Sequence, residues 1–136
     1  MMRDPVRSML AARGCPPDLV EGGLPGLQRA WSGIVEQIAN GYELTLDDYL
    51  NDMDLRDLLA AAQDIASPEE LEMVREEIAR SDAEHFALTV PSPCLWGPDI
   101  AEEDGLDPER EWWYYRRPIE MGDQLREDLM TWGLME

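Results

Sequence analysis

The clearest pattern in the chain lies between residues 24 and 38. Leu24, Leu27, Trp31, Ile34, Val35 and Ile38 recur at three- and four-residue intervals, while Gln28, Arg29, Ser32, Glu36 and Gln37 fall between them. That spacing puts one apolar stripe on one side of a helix. Pro25 is suited to its first turn and Gly41 to its end, so a helix is predicted over 25–39.

Similar punctuation organises the rest of the first ninety residues. Asp4-Pro5 offers a side-chain cap followed by proline at the first helical position, and Gly14 closes a short helix over 5–13. Cys15-Pro16-Pro17 breaks the chain. Pro17–Glu21 allows one turn before Gly22-Gly23-Leu24-Pro25-Gly26, read as a hinge. That glycine cluster lacks the lysine and the preceding strand of a phosphate loop. Thr45-Leu46-Asp47-Asp48 has the form of a capping box with Asp in place of Glu. Leu46, Tyr49, Leu50 and Met53 share a face, but Leu55, Leu58, Leu59 and Ala62 are out of phase with it. The slip predicts a kink or a new helix near 51–54, with Asp54 as its cap. Ser67-Pro68-Glu69-Glu70 opens a helix that should reach about Leu88. Its inner side takes Leu71, Val74 and Ile78, then Ser81, Ala83 or Phe86. Its outer side carries Glu72–Arg75, Glu76–Arg80 and Arg80–Glu84 at pairing distance.

Beyond Val90 the pattern breaks up. Pro91, Pro93, Pro98, Pro108 and Pro118, with Gly97 and Gly105, leave room for a short helix at 98–104 and a last one from about Asp123 to Trp132. Residues 112–117 could be extended, but no second strand is evident to pair with them. The expected fold is all-α, a small bundle of about five to six helices with an irregular, aromatic-rich segment at 91–120. It is read as a single acidic domain over 1–136, with a helical core at 5–90 and a Pro/Trp-rich extension at 91–136.

Charge changes the picture from fold to partners. Thirty Asp and Glu face eleven arginines and no lysine, a net charge of −19. Residues 1–35 are nearly neutral, with Arg3, Arg7, Arg13 and Arg29 against three acids. Residues 36–84 hold fifteen acids against three arginines. No run of five or six like charges occurs, so the acids belong to structured faces and not to a tail. Direct nucleic-acid binding is not expected, because phosphate neutralisation needs clustered cations. A GC-rich coding bias or a salt-rich host would account for the same composition without any role for it. The first residues show no apolar leader, and the longest aliphatic run, Leu58–Ala62, is too short for a membrane span. A cytoplasmic protein is expected, with Cys15 and Cys94 as reduced or partly buried thiols in preference to a single long-range disulfide; redox state and oligomeric state are left open.

Three clusters could carry chemistry. Glu111-Trp112-Trp113-Tyr114-Tyr115-Arg116-Arg117-Pro118 holds four of the ten aromatics, and Trp96 and Trp132 flank it. Two roles fit it. Trp96, Trp112, Trp113, Tyr115, Arg116 and Arg117 are types that dominate recognition surfaces. Alternatively the rings close a small second core, while the arginines pair with the chain's own acids. The acidic run Asp47, Asp48, Asp52, Asp54 and Asp57 fails as a calcium loop. With Asp52 first, Arg56 and Asp57 occupy the fifth and sixth places, and Gln63 replaces the closing Glu. It reads as a solvated or partner-facing helix face. His85 follows Asp82 at a metal-site spacing, but the chain has no second histidine, which rules out di-metal and multi-His zinc sites. A cysteine–histidine pair lacks any supporting signature, and His85 is expected at a helix edge. No metal, cofactor or catalytic residue is assigned.

Two functions follow. The first is a small acidic, non-enzymatic module that binds a basic protein partner, in the manner of an inhibitor, an immunity protein or an antitoxin. The second is a ligand-binding or enzymatic domain with a pocket lined by the Trp/Tyr/Arg cluster at 112–117.

Overall fold

The computed structural model describes residues 4–136; Arg3 and the two residues before it lie outside the described part. Six helices and one small sheet follow in order: α1 (Pro5–Ala12), α2 (Pro17–Ala39), α3 (Leu46–Ile65), α4 (Pro68–Leu88), β1 (Thr89–Pro91), α5 (Pro98–Asp104), a 3-10 turn (Trp112–Tyr115), β2 (Arg116–Pro118) and α6 (Asp123–Thr131). The fold is all-α, as the periodicity predicts.

The caps form as their residues dictate. Asp4 Oδ1 accepts the Arg7 N–H at 3.1 Å. Thr45 Oγ1 accepts the Asp48 N–H and Asp48 Oδ2 accepts the Thr45 N–H, both at 3.2 Å, which closes the predicted capping box. Ser67 Oγ accepts the Glu70 N–H at 3.2 Å. The hinge is sharper than a loop. Residues 17–39 form two helical pieces joined at Gly23, whose φ of 59° and ψ of −152° belong to a region reserved for glycine. The bend lets α1 lie against α2, where Arg7 Nε donates to the Glu21 carbonyl at 2.9 Å.

α2 is the spine, packing against α1, α3 and α4. Its stripe of Leu24, Leu27, Trp31, Ile34, Val35 and Ile38 is buried. α3 corrects one expectation: it runs unbroken through residues 51–54, and Asp54 caps nothing. The apolar phase slips because its inward stripe is completed by a charged residue. Leu46, Tyr49, Leu50, Met53, Arg56, Leu59 and Ala62 are all buried. α4 corrects a second. Its inner side is Val74, Ile78, Ser81 and His85. Ala83 and Phe86 point outward. His85 is wholly buried and not at an edge. On the outer side Glu72 pairs with Arg75, while Arg80 takes Glu77 and neither Glu76 nor Glu84.

A third correction concerns residues 112–118. The aromatic tetrad is one 3-10 turn, and only 116–118 is extended. That strand does have a partner. β2 pairs antiparallel with β1, setting Thr89 opposite Pro118 and Pro91 opposite Arg116. Both strands are edges, so neither proline removes a needed donor. Two further bonds extend the ribbon, from the N–H of Ser92 to the Tyr115 carbonyl and from that of Leu95 to the Tyr114 carbonyl, each 2.8 Å. Residues 91–136 are built into the same core as the helices. Cys94, Leu95, Trp113, Tyr114, Leu125, Leu129 and Leu134 join one continuous buried cluster with Val6 and the α2 stripe. α6 is tied down by the Leu46 N–H, which donates to Asp128 Oδ2 at 3.1 Å. Among the described residues, no helix is long and apolar enough to cross a membrane.

Candidate functional site

The most concentrated chemistry is inside the molecule, where α2, α3, α4 and the aromatic turn meet. Arg56 projects from α3 with its side chain 7% exposed. Its guanidinium carbon lies 4.8 Å from the Trp113 ring centre, 5.5 Å from Trp112 and 5.9 Å from Trp31, all within cation–π range. Asp82 on α4 neutralises it in a fork: Nε donates to Oδ1 and Nη2 to Oδ2, each at 2.9 Å. The Trp31 indole N–H donates to the same Oδ1 at 2.9 Å. Arg56 Nη1 has no hydrogen-bond partner, and neither does the Trp113 indole nitrogen.

His85 lies one turn beyond Asp82. Its ring is 5.3 Å from Trp31 and 5.4 Å from Trp112, and Nε2 is 3.2 Å from the Tyr49 hydroxyl. Nδ1 is buried with no partner. Burial, and then the nearby Arg116 and Arg56 cations, push its pKa down to about 3, so the imidazole is neutral at ordinary pH. Tyr49 is pushed up by the same burial. A neutral histidine, an aspartate that accepts three internal bonds and a sandwiched arginine form a fixed polar core. No acid–base couple here faces solvent.

The aromatic segment supplies rings to this core and not to a pocket. Trp113 and Tyr114 are buried, and Trp112 and Tyr115 are partly so. Trp96 stands at the edge, 38% exposed, with its ring 6.5 Å from Tyr114. The Tyr115 hydroxyl donates to the Leu106 carbonyl at 3.2 Å. Nor does Arg116 pair with an acid. It donates from Nε to Thr89 Oγ1 and from Nη2 to the Thr89 carbonyl, both at 2.8 Å, and lies 3.9 Å over the Phe86 ring. These contacts hold α4 to β2. Arg117 is half-buried on the same strand.

The acidic run on α3 is divided by function. Asp48 serves the Thr45 cap. Asp52 accepts the Tyr42 hydroxyl and Asp54 the Tyr114 hydroxyl, each at 2.5 Å. Burial raises the pKa of Asp52 and Asp54, while their tyrosine bonds pull the other way; burial raises Asp57 as well. Among the described residues, only Asp47 and Asp57 in this run have no such internal partner. Arg56, Trp31 and Tyr49 are not among the sequence candidates, and Asp82 enters there only through its metal-site spacing to His85. The signal that would have found Arg56 is the phase slip itself, since a charged residue in an apolar slot needs an opposite charge facing it.

Three surface hollows stand out. One of about 400 Å3 lies between α3 and α4, lined by Gln63, Leu71, Arg75, Ile78, Ala79 and Asp82. A wide one of about 550 Å3 lies along α6, and one of about 180 Å3 lies where Ile38 and Ala39 meet Leu88 and Ile119. None of the three is lined by Trp96 or by residues 112–117. Cys15 and Cys94 are free thiols. Among the described residues, no three His, Cys, Asp or Glu side chains are grouped so as to hold a metal ion. Set beside known protein families, curated proteins and solved structures, the chain matches none.

Proposed function

We propose that this protein is a small acidic interaction module that binds a basic protein surface, as an inhibitor, an immunity protein or an antitoxin does. One observation carries the reading. Among the described residues, only Asp4, Glu72, Glu77, Asp82, Glu111 and Asp123 of the thirty acids pair with an arginine. Many of the others are exposed and make no internal bond that the fold needs. Glu69, Glu76 and Glu84 are exposed on α4, and Asp99, Glu102, Glu103 and Asp104 on α5. A fold does not require this excess, which costs stability through self-repulsion. Opposite charge on a partner removes that cost and speeds encounter.

Capture of partners on the immobilised full chain at low and at high salt tests the reading, with mass spectrometry to identify them. The expected result is a basic protein released as salt rises. An association rate measured with the purified partner should fall with ionic strength, and Glu102→Gln with Glu103→Gln should lower it further. Retention of no protein, or of one indifferent to salt, overturns the proposal.

A further inference from the structure

The hollow between α3 and α4 is the outer end of a cleft whose inner end is already filled. Inside, Arg56 reaches across from α3 to Asp82, and the Trp112 and Trp113 rings close over it. Outside, about 400 Å3 is open to solvent, with Leu71 and Ile78 as an apolar floor, Gln63 on the α3 wall, and Arg75 and Ala79 on the α4 wall. Asp82 belongs to both ends. From within it accepts three bonds, two on Oδ1 and one on Oδ2. A carboxylate has about four acceptor positions, so one on Oδ2 is unused. The Asp82 side chain is 26% exposed and lines the hollow.

We propose that this cleft receives an arginine side chain from the basic partner. This rests on the acidic-module reading and names the contact within it. The arginine stem would lie over Leu71 and Ile78, as long cationic side chains cover apolar surface. Its guanidinium would meet the free Oδ2 position of Asp82 and the amide oxygen of Gln63. Five fixed donors suit two acceptors on opposite walls better than a lysine ammonium does. Asp82 would then be gripped by an arginine from each side. Residues 36–84 carry fifteen acids against three arginines, so the wider field favours a cation even with Arg75 on the wall itself. Of the three arginines in residues 36–84, Arg56 is internal, and Arg75 and Arg80 are held by Glu72 at 3.0 Å and Glu77 at 3.1 Å.

The probe is acetyl-hexaarginine amide, with hexacitrulline as its uncharged match. Both are titrated into the isotope-labelled full chain at low salt and followed by amide chemical shifts. The expected shifts centre on Gln63, Leu71, Ile78, Ala79 and Asp82, and hexacitrulline gives none. Ala79→Trp fills the hollow while keeping both members of the Arg56–Asp82 pair; it should abolish those shifts and weaken binding at least fivefold. Gln63→Lys, at a half-buried position on the α3 wall, should do the same should the tryptophan disturb packing. Shifts confined to 98–109, or binding by both variants within twofold of the parent, overturn the cleft and leave the acidic module standing. No binding of hexaarginine at low salt overturns both.

Discussion

Replacing Asp82 by leucine should cost far more than replacing Arg56 by methionine, although the two share one ion pair. The asymmetry comes from burial. With Asp82 gone, a guanidinium only 7% exposed is left without its counter-charge among three indoles, and the Trp31 N–H loses its acceptor. Breaking a buried pair in this way costs about 3–5 kcal/mol, and orphaning the indole donor adds about 1–3 kcal/mol. With Arg56 gone, methionine keeps the stem packed. Asp82 still accepts from Trp31, and its exposed quarter can hydrate. The loss is then the cation–π and ionic bonds alone, about 2 kcal/mol. The sign of the double variant is the sharper test. In the Arg56→Met background, Asp82→Leu removes only the indole bond. The double variant should therefore be at least as stable as Asp82→Leu alone, with a coupling of about 3 kcal/mol. Urea unfolding, followed by circular dichroism and by tryptophan fluorescence, measures all four proteins. Additive losses, or an Asp82→Leu cost below about 1 kcal/mol, would refute the argument.

Other outcomes follow from the same contacts. The unfolded chain protonates His85 below about pH 6.5, whereas the folded protein resists until about 3. This group's contribution is thus full above that range and declines as pH falls, by roughly 2 kcal/mol at about pH 5. Asp52, Asp54 and Asp57, with raised pKa values, shift the other way and stabilise the fold as pH falls, so the histidine is read as the difference between the parent and His85→Phe at the two pH values. A difference that does not change with pH would contradict the burial argument. Gly23→Ala should cost about 1–3 kcal/mol in chemical denaturation, because its positive φ excludes a side chain and the new Cβ would lie 3.3 Å from Arg7 Nε. Gly22→Ala, with open space around it, should be close to neutral or stabilising. Thr45→Ala removes one half of the α3 capping box and should lower stability by about 1 kcal/mol, visible as a lower thermal midpoint with an unchanged helical spectrum.

The helices were legible where periodicity and punctuation agreed. α2 has an unmixed stripe, and Asp4, Thr45 and Ser67 cap as their local sequence requires, so the information is within a few residues. α3 departs from the expected kink because a single buried charge, Arg56, interrupts the apolar stripe. Its reason for being inside is Asp82, twenty-six residues away. His85 was placed at an edge on polarity alone, though it continues the 74–78–81 spacing into the core. The ribbon was invisible for another reason: three-residue strands show no alternation, and their partner is fixed by tertiary contacts. The aromatic segment is evident in the sequence as a cluster of rings. What it surrounds depends on α3 and α4 together, which no local pattern encodes.

The late position of that segment has a consequence for biosynthesis. In chain order α1 to α4 are made before Trp112 and Trp113. Until then Arg56 lacks two of the three indoles that enclose it. The core around Arg56 is therefore sealed only once the 112–115 turn has been made. A stop codon upstream of residue 112 would leave a helical but unsealed product, a ready target for proteases and chaperones.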